Sequence, residues 1–379
     1  MSLSQGANKL LVTKKRFELR DFTTFNGRFL PEISLGWESW GSLNSRKDNA
    51  ILVTHYFSGS SHAAGRYSEE DPLPGYWDAI IGPGKPLDTD RYFIFSCDTL
   101  VNQEPFNPQV ITTGPATINP ETGRPWGLDF PVVTIADFVA TQKALMESLG
   151  IERLHAVIGP SMGSLQALQW AIDFPDAVER MVSVIGMGEA DAWTCLGLQQ
   201  WAEPILADPN WRQGDYYDQK APEQGVLQTL MQINRQALSP ELINRTFFQH
   251  HPLEQEPLEQ LLGEYRLIKR FREECRARTK FADANHLLYL IRANQLFLAG
   301  QGSSLKEGLA KIKAKCLFLP ATQDQMLQPY LAKQTHELLL ELGKKSFYRE
   351  IEGSWGHLDG IYTISSQADF LQEFLETDA

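Results

Sequence analysis

The stretch from His155 to Gly186, HAVIGPSMGSLQALQWAIDFPDAVERMVSVIG, constrains this chain more than any other. It opens on a short apolar run, turns through Gly159-Pro160-Ser161-Met162-Gly163, continues with apolar residues at three- and four-residue steps, and ends in a second apolar run. That order predicts strand, turn, helix, strand. The turn has the form G-x-S-x-G, in which small neighbours let helix and strand approach closely while the serine takes a tight, strained conformation. Its oxygen then points into a site. Five residues match so loose a pattern by chance quite often, but the strand before and the helix after supply the context that the motif needs.

On the amino-terminal side, RFELRDF, ISLGWESWGSL and AILVTHYF read as consecutive strands, the last a continuous apolar run of the kind buried on both faces of a parallel sheet. A Gly-, Pro- and Ser-rich loop follows, then the strand RYFIFSCDTL, a long punctuated segment, and the helix TIADFVATQKALMESLG with Gly150 at its end. From about 187 to 305 only helical periodicity appears, and strands return with KCLFLPA and FYREIEG before a final helix through ADFLQEFLET. This predicts the α/β-hydrolase fold: a mostly parallel central sheet built from residues 1–186 and 306–379, with residues 187–305 inserted as a helical lid over its carboxyl edge.

At 379 residues the chain has room for a large core with an insertion. A hydrophobic share of 42% and a charged share of 22% are those of a soluble globular protein. The formal charge of −12 disfavours a nucleic-acid partner, whose phosphates call for clustered Lys and Arg. No apolar stretch approaches the length of a membrane span or a signal-peptide core, so a cytoplasmic protein is expected. Cys97, Cys195, Cys275 and Cys316 lie far apart, as buried hydrophobes rather than a zinc site or disulfide scaffold.

A serine hydroxyl needs a general base, and the base needs a third group to hold it. In this fold the order is serine, acid, histidine, each on a loop after a strand. His357 follows the strand FYREIEG in the loop GSWGHLDG, whereas His336 falls within the helical run YLAKQTHELLLELG, on a solvated face. Asp324, directly after the strand CLFLP, is the aspartate between the lid and His357; Asp359 lies nearer in sequence but out of order. The oxyanion of a tetrahedral intermediate needs preorganised donors, expected from the backbone N–H groups of Met162 and Phe57. The cationic run from Arg266 to Lys280 reads as a solvated helix face, with contact to coenzyme A phosphates as the alternative. His55 with His62, and the pair His250-His251, carry no metal-ligand pattern.

The segments GYWDAIIGPGKPLDTDRYFIFS, TGPATINPETGRPWGLDFPVVTI, the serine turn and KFADANHLLYLIRA in the lid resemble the homoserine O-acetyltransferase family over most of the core. The resemblance implies Ser161, Asp324 and His357 as the catalytic triad, acetyl-CoA as co-substrate with no tightly bound cofactor, small-molecule substrates, and a homodimer through the lid. It also implies two steps: acetylation of Ser161 with release of coenzyme A, then transfer to the homoserine hydroxyl. The chain departs from the family pattern in places. The usual GGSMGG is GPSMGS here, and LTGDAH is FSGSSH at residues 57–62. The aspartate that the family places after its catalytic histidine to bind the homoserine amino group is Leu358, leaving Asp359 one residue later as the substitute; Arg235 is the candidate for the substrate carboxylate. The catalytic machinery thus reads as intact and the acceptor site as altered. An O-acyltransferase is the first reading, an esterase or thioesterase of the same fold the alternative, and a silent binding protein the last, since no triad member is missing.

Overall fold

The computed structural model describes residues 10–247 and 254–377; the pair His250-His251 lies outside them. The amino-terminal hairpin, β1 (Lys15–Thr23) and β2 (Phe29–Trp40), leads into β3 (Ala50–Val53). Two short strands, β4 (Ile81–Gly82) and β5 (Leu87–Asp88), pair with each other inside the segment read as a loop. The main sheet continues with β6 (Phe93–Cys97), β7 (Ala156–Pro160), β8 (Arg180–Val184), β9 (Lys315–Leu319) and β10 (Ser346–Tyr348), in the spatial order β1-β2-β6-β3-β7-β8-β9-β10. From β6 to β10 every neighbour pairs in parallel, while β2 runs antiparallel to both β1 and β6.

Successive residues of β3 face opposite layers, which is why the strand reads as unbroken apolar sequence. Leu52 packs with Phe95, Val157 and Trp170 on one side; Ile51 and Val53 pack with Trp77, Ile158 and Phe374 on the other. A strand covered on both faces gains from an apolar side chain at every position. The covering helices include α1 (Ile135–Ser148), with Thr134 and Asp137 forming a capping box at its start, and α2 (Met162–Asp173), which follows the serine turn.

Between β8 and β9 come α3 (Ala192–Ala207), α4 (Glu223–Ala237), α5 (Pro240–Phe247), α6 (Gln255–Glu259), α7 (Arg266–Arg276) and α8 (Ala284–Gln295), then α9 (Leu305–Ala310). Helix α10 (Pro329–Glu341) lies between β9 and β10, and α11 (Asp359–Tyr362) and α12 (Ala368–Glu376) close the chain. Three elements differ from the sequence reading. The run LEQLLGEYRLIKRFREE is broken into α6 and α7 around Gly263, where a Cβ would collide with the Glu256 carbonyl. Strand β10 stops at Tyr348, and Ile351 rejoins the sheet only through a bridge to Ala321. Strand β3 ends at Val53; Thr54 still donates its N–H to the Ile158 carbonyl of β7 at 2.9 Å while its hydroxyl bonds the Gly163 carbonyl at 2.7 Å beside the serine turn, and residues 55–57 leave the sheet.

Candidate active site

Ser161 stands between β7 and α2 with φ 55° and ψ −124°, a strained conformation for a residue with a side chain. The two glycines of the motif are there for space: a Cβ on Gly159 would collide with the Thr54 side chain, and one on Gly163 with the Thr54 carbonyl. Ser164, which replaces the usual family glycine, donates its hydroxyl to the Ser161 carbonyl at 2.6 Å and so braces the turn. Its bulk is accommodated because Gly186, at the end of the next strand, leaves the space its oxygen fills.

His357, 5% exposed, places Nε2 at 2.8 Å from Ser161 Oγ and Nδ1 at 2.6 Å from Asp324 Oδ2. The Asp324 carboxylate accepts further bonds on Oδ1 from the backbone N–H groups of Met326 and Leu327, at 2.8 and 2.9 Å. A carboxylate held this way stays acceptor-only and faces the Nδ1–H of the ring, so Nε2 is left to accept from the serine hydroxyl. The structure therefore brings together Ser161, Asp324 and His357, three residues separated by up to 196 positions in the chain.

Above this line lies a cleft of about 760 Å³, bounded by Phe57 and Met187 from the core, Trp193 and Trp201 from α3, Arg235 from α4, and the loop that carries Asp324. Phe57 meets Trp201 edge-on with ring centroids 5.7 Å apart, and the Trp201 indole N–H donates to the Gln236 side chain at 2.8 Å. Both N–H groups expected to bind the oxyanion, those of Phe57 and Met162, make no hydrogen bond to any described residue.

The two substrate-binding candidates part company. Arg235 lines the cleft as an exposed cation with no carboxylate partner among the described residues. Asp359 is fully buried and faces its own turn, accepting from the Trp355 N–H at 3.1 Å and the Thr363 hydroxyl at 2.6 Å. It does not line the cleft, so the proposed substitution for the missing aspartate at Leu358 is corrected: with Asp359 opening α11, its carboxylate serves the turn instead. His336 is also corrected, since it lies half-buried between Phe318 and Tyr348 with Nδ1 on the Ser346 hydroxyl rather than on a solvated face. The basic run on α7 does form a solvated face, with Arg266, Arg270 and Arg272 paired to Glu254, Glu274 and Glu264. Sequence reasoning passed over Trp201, which carries no positional signal within an evenly helical run; the departure at Ser164 was visible, but not its purpose.

Comparison with known proteins matches this geometry. The family model for the alpha/beta hydrolase fold covers residues 114–361, which defines the class. Homoserine O-acetyltransferase from Deferribacter desulfuricans is 36% identical over 378 residues, spanning 98% of this chain and 97% of that one. Homoserine O-acetyltransferase from Bacillus anthracis superposes with a TM-score of 0.94 at 35% identity, covering 97% and 99% of the two chains. Esterase E22 superposes with a TM-score of 0.95 at 52% identity, covering 97% and 100%. Within the α/β-hydrolases, the chain belongs to the homoserine O-acetyltransferase family.

Proposed function

We propose that this protein transfers an acetyl group from acetyl-CoA to the hydroxyl of L-homoserine through an acyl-serine intermediate, a step of methionine biosynthesis. The observation that carries this reading is the unbroken hydrogen-bonded line Asp324–His357–Ser161 beside two backbone N–H groups without acceptors. Ser161 Oγ attacks the thioester carbonyl while His357 Nε2 takes its proton, and the N–H groups of Phe57 and Met162 receive the oxyanion. Collapse breaks the C–S bond, and His357 returns the proton to the departing thiolate. The acceptor hydroxyl then attacks the acetyl-serine, His357 takes the new proton, and a second collapse frees Ser161. Arg235 supplies the cleft's cation for a substrate carboxylate.

A second reading, in which water is the acceptor and the enzyme an esterase or thioesterase, has its own support. The residue after His357 is Leu358, the Asp359 carboxylate is engaged elsewhere, and among the described residues Asp324, already held by His357, is the one carboxylate lining the cleft. A substrate ammonium therefore meets no free counter-charge among the described residues there, and the similarity to esterase E22 points the same way. The deciding experiment is coenzyme A release from acetyl-CoA with and without homoserine, products being identified by mass spectrometry. Homoserine-dependent release with O-acetylhomoserine formed supports the transferase; release independent of homoserine, giving acetate, replaces it with the hydrolase. Ser161→Ala should lower either activity by roughly 10⁴-fold or more, and normal turnover in that variant would sink the whole scheme. The enzyme is proposed to act in the cytoplasm as a homodimer through a lid formed by residues 187–305, on which Leu258, Leu261 and Leu262 stand exposed.

A further inference from the structure

The serine, histidine and aspartate account for proton movement, but the aim of the second oxyanion donor depends on a histidine that touches none of them. Phe57 N–H belongs to the peptide unit that also holds the Tyr56 carbonyl. Because a trans peptide is planar, the two groups point in opposite directions, and whatever fixes the carbonyl fixes the N–H. The Tyr56 carbonyl accepts from His55 Nδ1 at 2.8 Å and from the Gly59 N–H at 2.9 Å. His55 is fully buried, and its other nitrogen, Nε2, accepts from the backbone N–H of Thr99 at 3.1 Å. An imidazole nitrogen that accepts carries no proton, so the proton sits on Nδ1 and is directed at Tyr56. We propose that His55 is a positioning residue of the active site: its Nδ1–H holds the Tyr56 carbonyl and thereby aims the Phe57 N–H at the developing oxyanion.

The surroundings suit this role. Gln166, on the same helix as the serine turn, donates to the His55 carbonyl at 3.2 Å and to the Met162 carbonyl at 3.2 Å, tying the residue two before one oxyanion donor to the residue that bears the other. Further along the loop, Asn102 donates to the Gly59 carbonyl at 2.8 Å, and the buried Asp98 carboxylate accepts from the Ser61 N–H at 2.6 Å. Asp98 is itself paired with Lys14, as is the buried Glu38. Bonds from buried groups thus restrain the loop from Gly59 to Ser61, while His55, together with the Gly59 N–H, holds the peptide plane that carries the Phe57 donor.

The inference rests on Ser161 as the nucleophile, and its test separates the two. Active sites are first titrated with a fluorophosphonate and the adduct located by mass spectrometry; absence of an adduct on Ser161 in the wild-type protein refutes the nucleophile before His55 is touched. In His55→Leu, kcat per titrated site should fall about ten- to a hundredfold, with KM for p-nitrophenyl acetate little changed. Affinity for a trifluoromethyl ketone, which forms a tetrahedral oxyanion adduct on the serine, should fall by the same factor as kcat/KM. His55→Asn, whose amide can donate from near the Nδ1 position, should regain most of both. A kcat per site within about twofold of wild type in His55→Leu overturns the proposal, as does a loss of kcat with unchanged ketone affinity. Should His55→Leu not fold, ¹⁵N NMR of the wild-type ring decides: protonated Nδ1 with bare Nε2 is expected, and protonated Nε2 overturns it.

Discussion

Ser161 keeps φ 55° because its surroundings over-determine it: two glycines admit Thr54 on either side, Ser164 bonds its carbonyl, and its N–H is bonded to the Val184 carbonyl at 2.9 Å. Strain of this size persists only when neighbouring contacts hold it. Asp359 shows the same dependence on neighbours in reverse, a residue two positions from His357 whose carboxylate is fully engaged by its own turn. Asp359→Ala should leave the Trp355 N–H and Thr363 hydroxyl without their partner and cost about 1–3 kcal/mol of stability. In a transferase assay the Michaelis constants for homoserine and acetyl-CoA should then move together. A selective rise for homoserine would mean that this carboxylate reaches the substrate after all.

At the scale of elements, the histidine loop is held by the junction between α4 and α5. Gly356, immediately before His357, has φ 72°, and a Cβ there would come within 2.7 Å of the Ser239 backbone nitrogen and 3.0 Å of the Ala237 carbonyl. Ser239 donates its hydroxyl to the Ser354 carbonyl, so the helical segment grips the loop that carries the base. Gly356→Ala should therefore combine the cost of a left-handed conformation, about 1–2 kcal/mol, with a displaced His357. We expect kcat to fall more than tenfold with the acyl-donor KM changed much less; steady-state kinetics on the folded variant checks this, and equal proportional changes in both would place the effect in binding. The end of β3 belongs to the same scale: AILVTHYF reads as one apolar strand, yet its last three residues turn out of the sheet to supply the Phe57 N–H.

Across the whole molecule, buried neutral histidines couple lid and core to pH. His286 on α8 accepts from the Ala116 N–H at 3.1 Å, and its Nδ1 bonds the Asn102 carbonyl at 2.7 Å; His55 makes the equivalent pair of contacts. Burial pushes both rings below their ordinary value of 6.5. Each is therefore neutral in the folded protein but protonated in the unfolded chain once pH drops under that value, so the unfolded state takes up protons that the native state refuses. Stability is present above pH 6.5 and lost as pH falls, approaching about 1.4 kcal/mol per pH unit for each histidine. Urea unfolding between pH 7.5 and 5.5 should show stability falling towards this slope; half the slope would mean that one ring is protonated in the native state, and a flat profile that both are. The order of the elements, the strained serine turn, and the succession of Ser161, Asp324 and His357 after their strands are legible in the chain because hydrophobic period and turn chemistry are local properties. Where side chains point depends on packing between distant segments: one position along a helix rotates a side chain by about 100°, enough to turn Asp359 from the cleft into its own turn. The bend that takes His55–Phe57 out of the sheet is accompanied in the same way by contacts to Gly163 and Thr99 that lie far along the chain.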